Sequence, residues 1–463
     1  MRARAAASPR PARAAAAGEQ LRNAAAGRRG ALLLSAGTIG SGLLAYAFNA
    51  VAARALGADA YGPIALLWAG MFLVAVVLFR PLEQTLSRAI AERRAQEVDS
   101  RGALRSVARI GVGTAALAAI ACLALWEPIT DRLFDGNGAL TVALAAGIVG
   151  YAASYLMRGV LGGVRWFGGY GTLLLADGSV RLALALPLVV VASQDLAAAA
   201  VALAAFAGAA APLVAPHWRE RVRLRAARTS PFDVGEAGRF ALPVGVVAAA
   251  DQVLLSGGPL LVALTAPGNA TRAAGIVFAA TMLVRAPAYL FQGVAAALMP
   301  SLTTLEVLED RGRFRRALGR TLVALGAFSA LLVVGVAAVG PHAMGLLYGT
   351  GFSAGRADLI VLALGVGLYL TGATLYQAAL ARRRQVASAV SWALAAAVFV
   401  VVELALPGGA LHRVAVAFAL GALVLAAGFL LVVTPPRPVR TVARRIAGSR
   451  AALAGSIEGD PAR

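Results

Sequence analysis

Charged side chains interrupt several long apolar stretches of this sequence. They are the residues that could bind a ligand or form ion pairs. Asp177 and Arg181 lie four residues apart in one stretch, so they share a face of a helix and can form an ion pair. Asp251 and Gln252 lie near the middle of a second stretch, and Arg285 interrupts a third. Guanidinium groups bind phosphate oxygens in paired geometry. The pattern therefore indicates either an anion-binding site or structural ion pairs, which would be Asp177 with Arg181 and, at similar depth in consecutive helices, Asp251 with Arg285.

Two further polar residues are weaker candidates. Arg80 lies with Glu83 near the end of its apolar stretch, where a long side chain can reach the membrane surface, and this interpretation is the favoured one. Asn49 lies in the first apolar stretch, which carries no charge between Ala31 and Ala53. The candidate substrate-binding residues are Arg285, Arg181, Asp251, Gln252, Asp177, Arg80 and Asn49.

The elements that carry these residues are predicted to be membrane-spanning helices. The 463 residues are 60% hydrophobic and 14% charged, and a mean hydropathy of +0.76 is too high for a soluble protein. Charge-free runs of about 20 residues predict about twelve transmembrane helices. The predicted fold is an all-α polytopic membrane protein, in which a central charge costs about 2.5 to 3.5 kcal/mol and so faces a wet cavity or a partner.

The distribution of the arginines predicts the orientation. The formal net charge is +21 and the chain has no lysine, but the arginines concentrate in alternate loops, as expected when basic residues stay on the cytoplasmic side. The predicted outer loops carry only Arg54, Arg132, Arg272, Arg356 and Arg413. We therefore expect a multi-pass membrane protein with both termini cytoplasmic, and no nucleic-acid partner.

The sequence also contains an internal duplication. The stretch Gly57 to Arg109 and the stretch Gly268 to Arg320 share a glycine turn, an apolar run and a charged loop. Further matches are Arg101-Gly102 with Arg311-Gly312 and Asp135-Gly136 with Tyr348-Gly349. Because each repeat holds an even number of spans, two six-helix lobes of equal orientation are predicted, with the substrate between them.

The predicted boundaries follow from this duplication. They are 1–30 for a disordered basic cytoplasmic tail, 31–216 for the N-terminal lobe, 217–239 for a basic cytoplasmic linker, 240–434 for the C-terminal lobe and 435–463 for a basic cytoplasmic tail. The first segment also resembles a transit peptide. The linker could form a helix on anionic headgroups. However, the role of cytoplasmic arginines in orienting a membrane protein is enough to explain its basic residues.

Cofactor chemistry has little support in the sequence. His217, His342 and His412 are far apart and lack metal-ligand spacing. The glycine-rich segment after Arg158 has neither the strand nor the lysine of a nucleotide site, so it predicts tight packing or a flexible loop. We expect no cofactor, no metal and no enzymatic activity.

Three segments carry a family resemblance. They are ARALGADAYGPIALL from Ala53, RAPAYLFQGVAAALMPSL from Arg285 and LLYGTGFSAG from Leu346. With the duplication and the number of spans, the chain resembles the multidrug/oligosaccharidyl-lipid/polysaccharide (MOP) flippase superfamily over residues 31–433. Within it, the chain is most similar to bacterial polysaccharide-export and O-antigen-type flippases.

The resemblance implies a V-shaped transporter of the bacterial cytoplasmic (inner) membrane with two rocking lobes. Its substrate would be an oligosaccharide linked to undecaprenyl pyrophosphate, moved from the inner to the outer leaflet for polysaccharide biosynthesis, with Arg285 and Arg181 supplying cationic charge to the cavity. Implied partners are this lipid-linked oligosaccharide, membrane lipids, and a polysaccharide polymerase and glycosyltransferases. Two alternatives stay open, a cation-coupled multidrug antiporter and a non-transporting partner of a polysaccharide assembly complex. The first apolar stretch lacks the acid of many drug antiporters, which disfavours the antiporter.

Overall fold

The computed structural model describes residues 10–266, 268–287, 311–382 and 384–433. These residues form α-helices and one short 3-10 helix, with a single isolated β-bridge and no strand among them. Ten of the described helical stretches are long and apolar enough to cross a membrane. The chain is therefore an all-α polytopic membrane protein, as the sequence predicts.

The first lobe is built from the helices that precede the linker. They are α1 Arg10–Ala95, α2 Arg101–Ala124, α3 Trp126–Phe134, α4 Gly138–Gly163, α5 Phe167–Ala185, α6 Leu188–Val191 and α7 Gln194–Ala210. The second lobe follows a short helix in the linker, α8 Trp218–Arg221. Its helices are α9 Val234–Thr265, α10 Ala270–Arg285, α11 Arg311–Tyr348, α12 Arg356–Ala381, α13 Gln385–Ala405 and α14 Ala410–Val433.

Helix α1 contains two membrane-crossing arms joined at Gly57. This glycine has a φ of 75°, in the left-handed region that side chains with a Cβ rarely adopt, so the chain can turn back there. Gly268, its partner in the predicted duplication, has a φ of 73° between α9 and α10. The second pair of matched glycines, Gly136 and Gly349, also has positive φ. The backbone thus repeats at the positions that the sequence pairs.

Glycines let the helices of the first lobe approach closely. The first arm of α1 meets α5 where Gly37 lies against the backbone of Gly171. The second arm meets α4 where Gly159 and Gly163 lie against Leu86 and Ile90. Close approach through small residues is the usual way in which membrane helices pack. Of the two interpretations of the glycine-rich segment, these contacts support tight packing.

The two lobes touch at the end of the bundle that carries Gly57 and Gly268. A Cβ on Gly62 would overlap the carbonyl oxygen of Thr271, so the second arm of α1 and α10 are in backbone contact. Beside this contact, Arg272 Nη1 lies 2.6 Å from Asp59 Oδ2. The hydroxyl of Thr271 donates to Asp135 at 2.8 Å. The molecule is therefore closed at this end, which the sequence predicts to be the outer one.

Two predicted boundaries differ from the structure. Helix α1 already begins at Arg10, within the segment predicted to be disordered, because an alanine-rich sequence has high helix propensity. Helix α9 begins at Val234, where Asp233 accepts hydrogen bonds from the amides of Gly235 and Glu236, so the predicted linker ends earlier. The predicted C-terminal tail and the segment 288–302 of the family resemblance lie outside the described residues.

The linker binds the turn between α1 and α2. The amide of Ser100 donates to the carbonyl of Leu224 at 2.9 Å, and the amide of Asp99 donates to Arg228 at 2.8 Å. Hydrogen bonds from the side chain and amide of Arg101 stabilise the Asp99 carboxylate and hold its pKa at about 2. The linker is therefore fixed to the first lobe rather than free between the lobes.

Candidate functional site

A cavity of about 640 Å³ lies between the two lobes. Both arms of α1 line it together with α4, α5, α9, α10 and α12. Its charged lining residues are Arg80, Asp177, Arg158, Arg181, Asp251 and Arg285. Gln252 lines it as well. The structure thus brings six of the seven candidate residues to one cavity, although their role in binding a substrate stays a prediction.

An ion pair joins the lobes across this cavity. Arg80 Nη1 lies 3.4 Å from Asp251 Oδ2, and the Arg80 side chain is 44% exposed whereas that of Asp251 is 13% exposed. Tyr369 donates a hydrogen bond to the other carboxylate oxygen at 2.7 Å. Arg80 therefore has a partner in the second lobe, and its membrane-surface interpretation stays a prediction. Helix α1 continues through Pro81 to Ala95, which leaves Arg80 within the bundle, opposite α9.

Arg285 binds a backbone carbonyl instead of Asp251. Its Nη1 donates to the carbonyl oxygen of Leu255 at 2.7 Å. Leu255 precedes Pro259 by four residues in α9, and a proline has no amide to donate to that carbonyl. Arg285 therefore satisfies an acceptor that the proline leaves free. A guanidinium has five N–H donors, so a half-buried Arg285 keeps donors for a ligand.

Asp177 and Arg181 form the ion pair that their spacing predicts. Arg181 Nη2 lies 2.7 Å from Asp177 Oδ2, and the same nitrogen donates to the hydroxyl of Tyr151 at 2.7 Å. The guanidinium stacks on Trp68, with its carbon 4.7 Å from the ring centre. Arg181 is only 1% exposed. The pair is thus part of the packed core at the cavity wall, which favours a structural role.

A second cavity of about 650 Å³ lies within the first lobe and shares Arg80 and Arg158 with the central one. Its acidic residue is Glu83, which accepts a hydrogen bond from Tyr170 at 2.5 Å. The guanidinium of Arg158 lies over the ring of Tyr155 at 4.5 Å. Because the two cavities share charged walls, an anionic ligand at the junction can contact both.

Asn49 does not line the central cavity. It is fully buried, donates to the carbonyl of Ala45 at 2.8 Å and accepts from the hydroxyl of Tyr61 at 2.9 Å. The sequence analysis does not select Arg158, which borders the glycine-rich segment and lies inside α4, since this helix continues to Gly163. It also missed Tyr369, because nothing in an aromatic residue of an apolar helix distinguishes a cavity wall from the core.

Known proteins resemble this chain in sequence and in fold. No protein-family model matches it. An uncharacterized protein of Mycobacterium tuberculosis (strain ATCC 25618 / H37Rv) is 27% identical over 346 residues, which cover 73% of this chain and 78% of that protein. A second uncharacterized protein of that strain is 29% identical over 277 residues, which cover 58% of this chain and 62% of that protein.

Solved structures of MATE transporters have the same fold. The inward-facing conformation of a multidrug resistance MATE family transporter of the MOP superfamily matches with a TM-score of 0.64 and 16% identity, over 85% of this chain and 93% of that one. A MATE in the straight conformation matches with a TM-score of 0.63 and 18% identity, over 88% and 94%. A mutant MATE transporter of Vibrio cholerae matches with a TM-score of 0.61 and 14% identity, over 88% and 95%.

Proposed function

We propose that this protein is a membrane transporter that flips an oligosaccharide linked to undecaprenyl pyrophosphate across the cytoplasmic membrane. The proposal rests on the shared fold with MATE transporters and on the charge of the central cavity. Transport would proceed by alternating access, in which the lobes rock so that the cavity opens to one side at a time. The product would supply cell-surface polysaccharide biosynthesis.

The proposed substrate is anionic because the cavity has more guanidinium groups than carboxylates. Four arginines and two aspartates line it. Arg181 is buried against Asp177, but Arg80 is 44% exposed and meets Asp251 through a single contact of 3.4 Å. Guanidinium groups with spare donors bind phosphate oxygens well. An anionic headgroup such as a pyrophosphate is therefore a better ligand than an organic cation.

The closed end of the bundle supports alternating access. At that end the lobes meet through Gly62 and Thr271 and through the ion pair of Asp59 with Arg272. The Arg272 side chain is 36% exposed and that of Asp59 is 70% exposed. An exposed ion pair contributes about 1 kcal/mol or less. Such a contact can open and close at low cost in free energy.

A cation-coupled multidrug antiporter is the second candidate. It is favoured by the descriptions of the matched structures, two of which name multidrug resistance. The cavity opposes it, since its two aspartates are both paired with arginines and the first arm of α1 has no acidic residue between Ala31 and Ala53. The third candidate is a non-transporting partner of a polysaccharide assembly complex. The charges of the cavity do not distinguish it from a flippase, so only a transport assay separates these two candidates.

Reconstitution tests these candidates. Vesicles containing the protein are loaded with a fluorescent glycan on undecaprenyl pyrophosphate, and access of a membrane-impermeant reagent to the glycan is scored over time. We expect faster access than in protein-free vesicles, and no acceleration for the same glycan on uncharged undecaprenol. Transport of a cationic dye without transport of the lipid-linked glycan would overturn the proposal in favour of the antiporter.

A pair of variants tests the role of the cavity charge. Arg80→Gln removes a charged hydrogen-bond donor worth about 1.5 to 3 kcal/mol, so flipping should fall by about tenfold to a hundredfold. Arg356→Gln removes an equal charge from an exposed position at the start of α12 and should leave flipping unchanged. An equal loss in both variants would contradict a specific role for Arg80.

A further inference from the structure

The linker after the first lobe presents a row of arginines. It is non-helical after Arg221, and side chains of alternate residues face opposite ways. Val222 and Leu224 pack against a small core cluster that includes Leu86 and Val160, whereas the intervening arginines are exposed. The exposed arginines of the linker, which we call the arginine strip, are Arg219, Arg221, Arg223, Arg225 and Arg228.

The backbone beneath the strip is held in place. Besides the hydrogen bonds that join Ser100 to Leu224 and Asp99 to Arg228, Arg93 donates to the carbonyls of Ser230 and Pro231. In an extended chain, alternate residues are about 6 to 7 Å apart on one side. Arg223 and Arg225 are alternate residues of this non-helical part, so their guanidinium groups lie on one side of a fixed backbone, with Arg219 and Arg221 before them in α8 and Arg228 three residues after them.

The strip begins where the bilayer surface must lie. Leu213 and Val214, at the end of a candidate span, are 48% and 83% exposed, so they face lipid chains. Trp218 lies a few residues further and contacts Trp166, with ring centres 6.2 Å apart. Tryptophans are enriched at the boundary between lipid and water. The arginines that follow Trp218 are therefore at the level of the headgroups.

The charges of the strip are not neutralised within the described part of the chain. None of its arginines forms an ion pair there, and Glu220, the acidic residue among them, lies 3.7 Å from His217. We propose that the arginine strip binds the phosphates of anionic phospholipid headgroups in the adjoining leaflet. The position at the bilayer surface favours lipid over an acidic protein as the partner. Binding would anchor this edge of the first lobe to the membrane.

The experiment uses the full-length protein in lipid nanodiscs. Cys122, the single cysteine, is replaced in Cys122→Ser, and Ala227→Cys places a fluorescent label on an exposed position beside the strip. The nanodiscs contain nitroxide-labelled phosphatidylglycerol or nitroxide-labelled phosphatidylcholine at equal density. We expect stronger quenching by phosphatidylglycerol, and a smaller difference at high salt because exposed charges are screened.

Two matched double variants test whether the arginine strip binds the anionic headgroups. Each basic residue near an anionic surface contributes about 1 kcal/mol, which is roughly fivefold in local enrichment. Arg223→Gln with Arg225→Gln should therefore lower the preference for phosphatidylglycerol about tenfold or more. Arg132→Gln with Arg356→Gln removes the same charge from exposed positions elsewhere and should leave it unchanged. Equal quenching by both lipids, or equal loss in both variants, would overturn the proposal.

Discussion

Arg285 should have a structural role that can be separated from any role in binding substrate. In the structure it donates to the Leu255 carbonyl at 2.7 Å, the acceptor that Pro259 leaves free. Replacing the proline restores an amide to that position of α9. In the Pro259→Ala background the carbonyl can accept from the helix itself, and Arg285 is no longer needed to satisfy it.

The expected free energies follow from the cost of an unsatisfied acceptor. Arg285→Ala in the natural background leaves a part-buried carbonyl without its donor, which costs about 1 to 3 kcal/mol when no other donor replaces it. The same substitution in the Pro259→Ala background should cost close to nothing, so the two changes are coupled by about 1 to 3 kcal/mol. The free energy of unfolding of all four proteins is measured in one detergent by denaturant titration. Equal losses in the two backgrounds would refute the carbonyl interaction.

Transport measurements on the same four proteins then test the phosphate role. If Arg285 also contacts the pyrophosphate, the doubly substituted protein should be as stable as the Pro259→Ala protein and yet fail to flip the lipid-linked glycan. Pro259→Ala alone is the control, since it retains the guanidinium. If flipping by the double variant returns to the level of this control at matched membrane abundance, the phosphate role is wrong and Arg285 is a structural residue.

Three further outcomes can be measured separately. Removing one member of the buried Asp177 and Arg181 pair should destabilise the protein by about 3 to 5 kcal/mol, whereas Asp177→Leu with Arg181→Met should cost much less; denaturant titration compares them. Gly62→Ala should hold the lobes apart at the closed end because its Cβ overlaps the Thr271 carbonyl, and impermeant labelling of cavity cysteines from that side should increase. The stabilising effect of Asp99, whose pKa is about 2, should be present above pH about 4 and lost as pH falls toward 2. Hydrogen exchange of the turn between α1 and α2 should therefore become faster as pH falls through this range, beyond the change in intrinsic exchange rate. In Asp99→Asn this pH-dependent acceleration should be absent.

The sequence predicts the helices and their repeat well, because apolar length and turn glycines are local properties. Gly57 and Gly268 take positive φ in both halves, as their matched positions imply. The spacing of Asp177 and Arg181 also predicts their pair correctly, since both lie on one helix. The partner of Asp251 is Arg80 instead of the Arg285 that equal depth suggested. Contacts between helices depend on the rotation of each helix about its axis and on which helices are neighbours in the bundle. The spacing of residues along the sequence specifies neither.

The arginines of the cavity differ in how much of their bonding capacity the protein uses. Arg181 is enclosed by a carboxylate, a hydroxyl and an indole ring, so a ligand would have to displace these groups. Arg80 is nearly half exposed, and its partner Asp251 belongs to the other lobe. A phosphate that binds Arg80 competes with that carboxylate and so weakens a connection between the lobes. Under the proposed function, binding of the headgroup and rocking of the lobes would therefore be linked through one side chain.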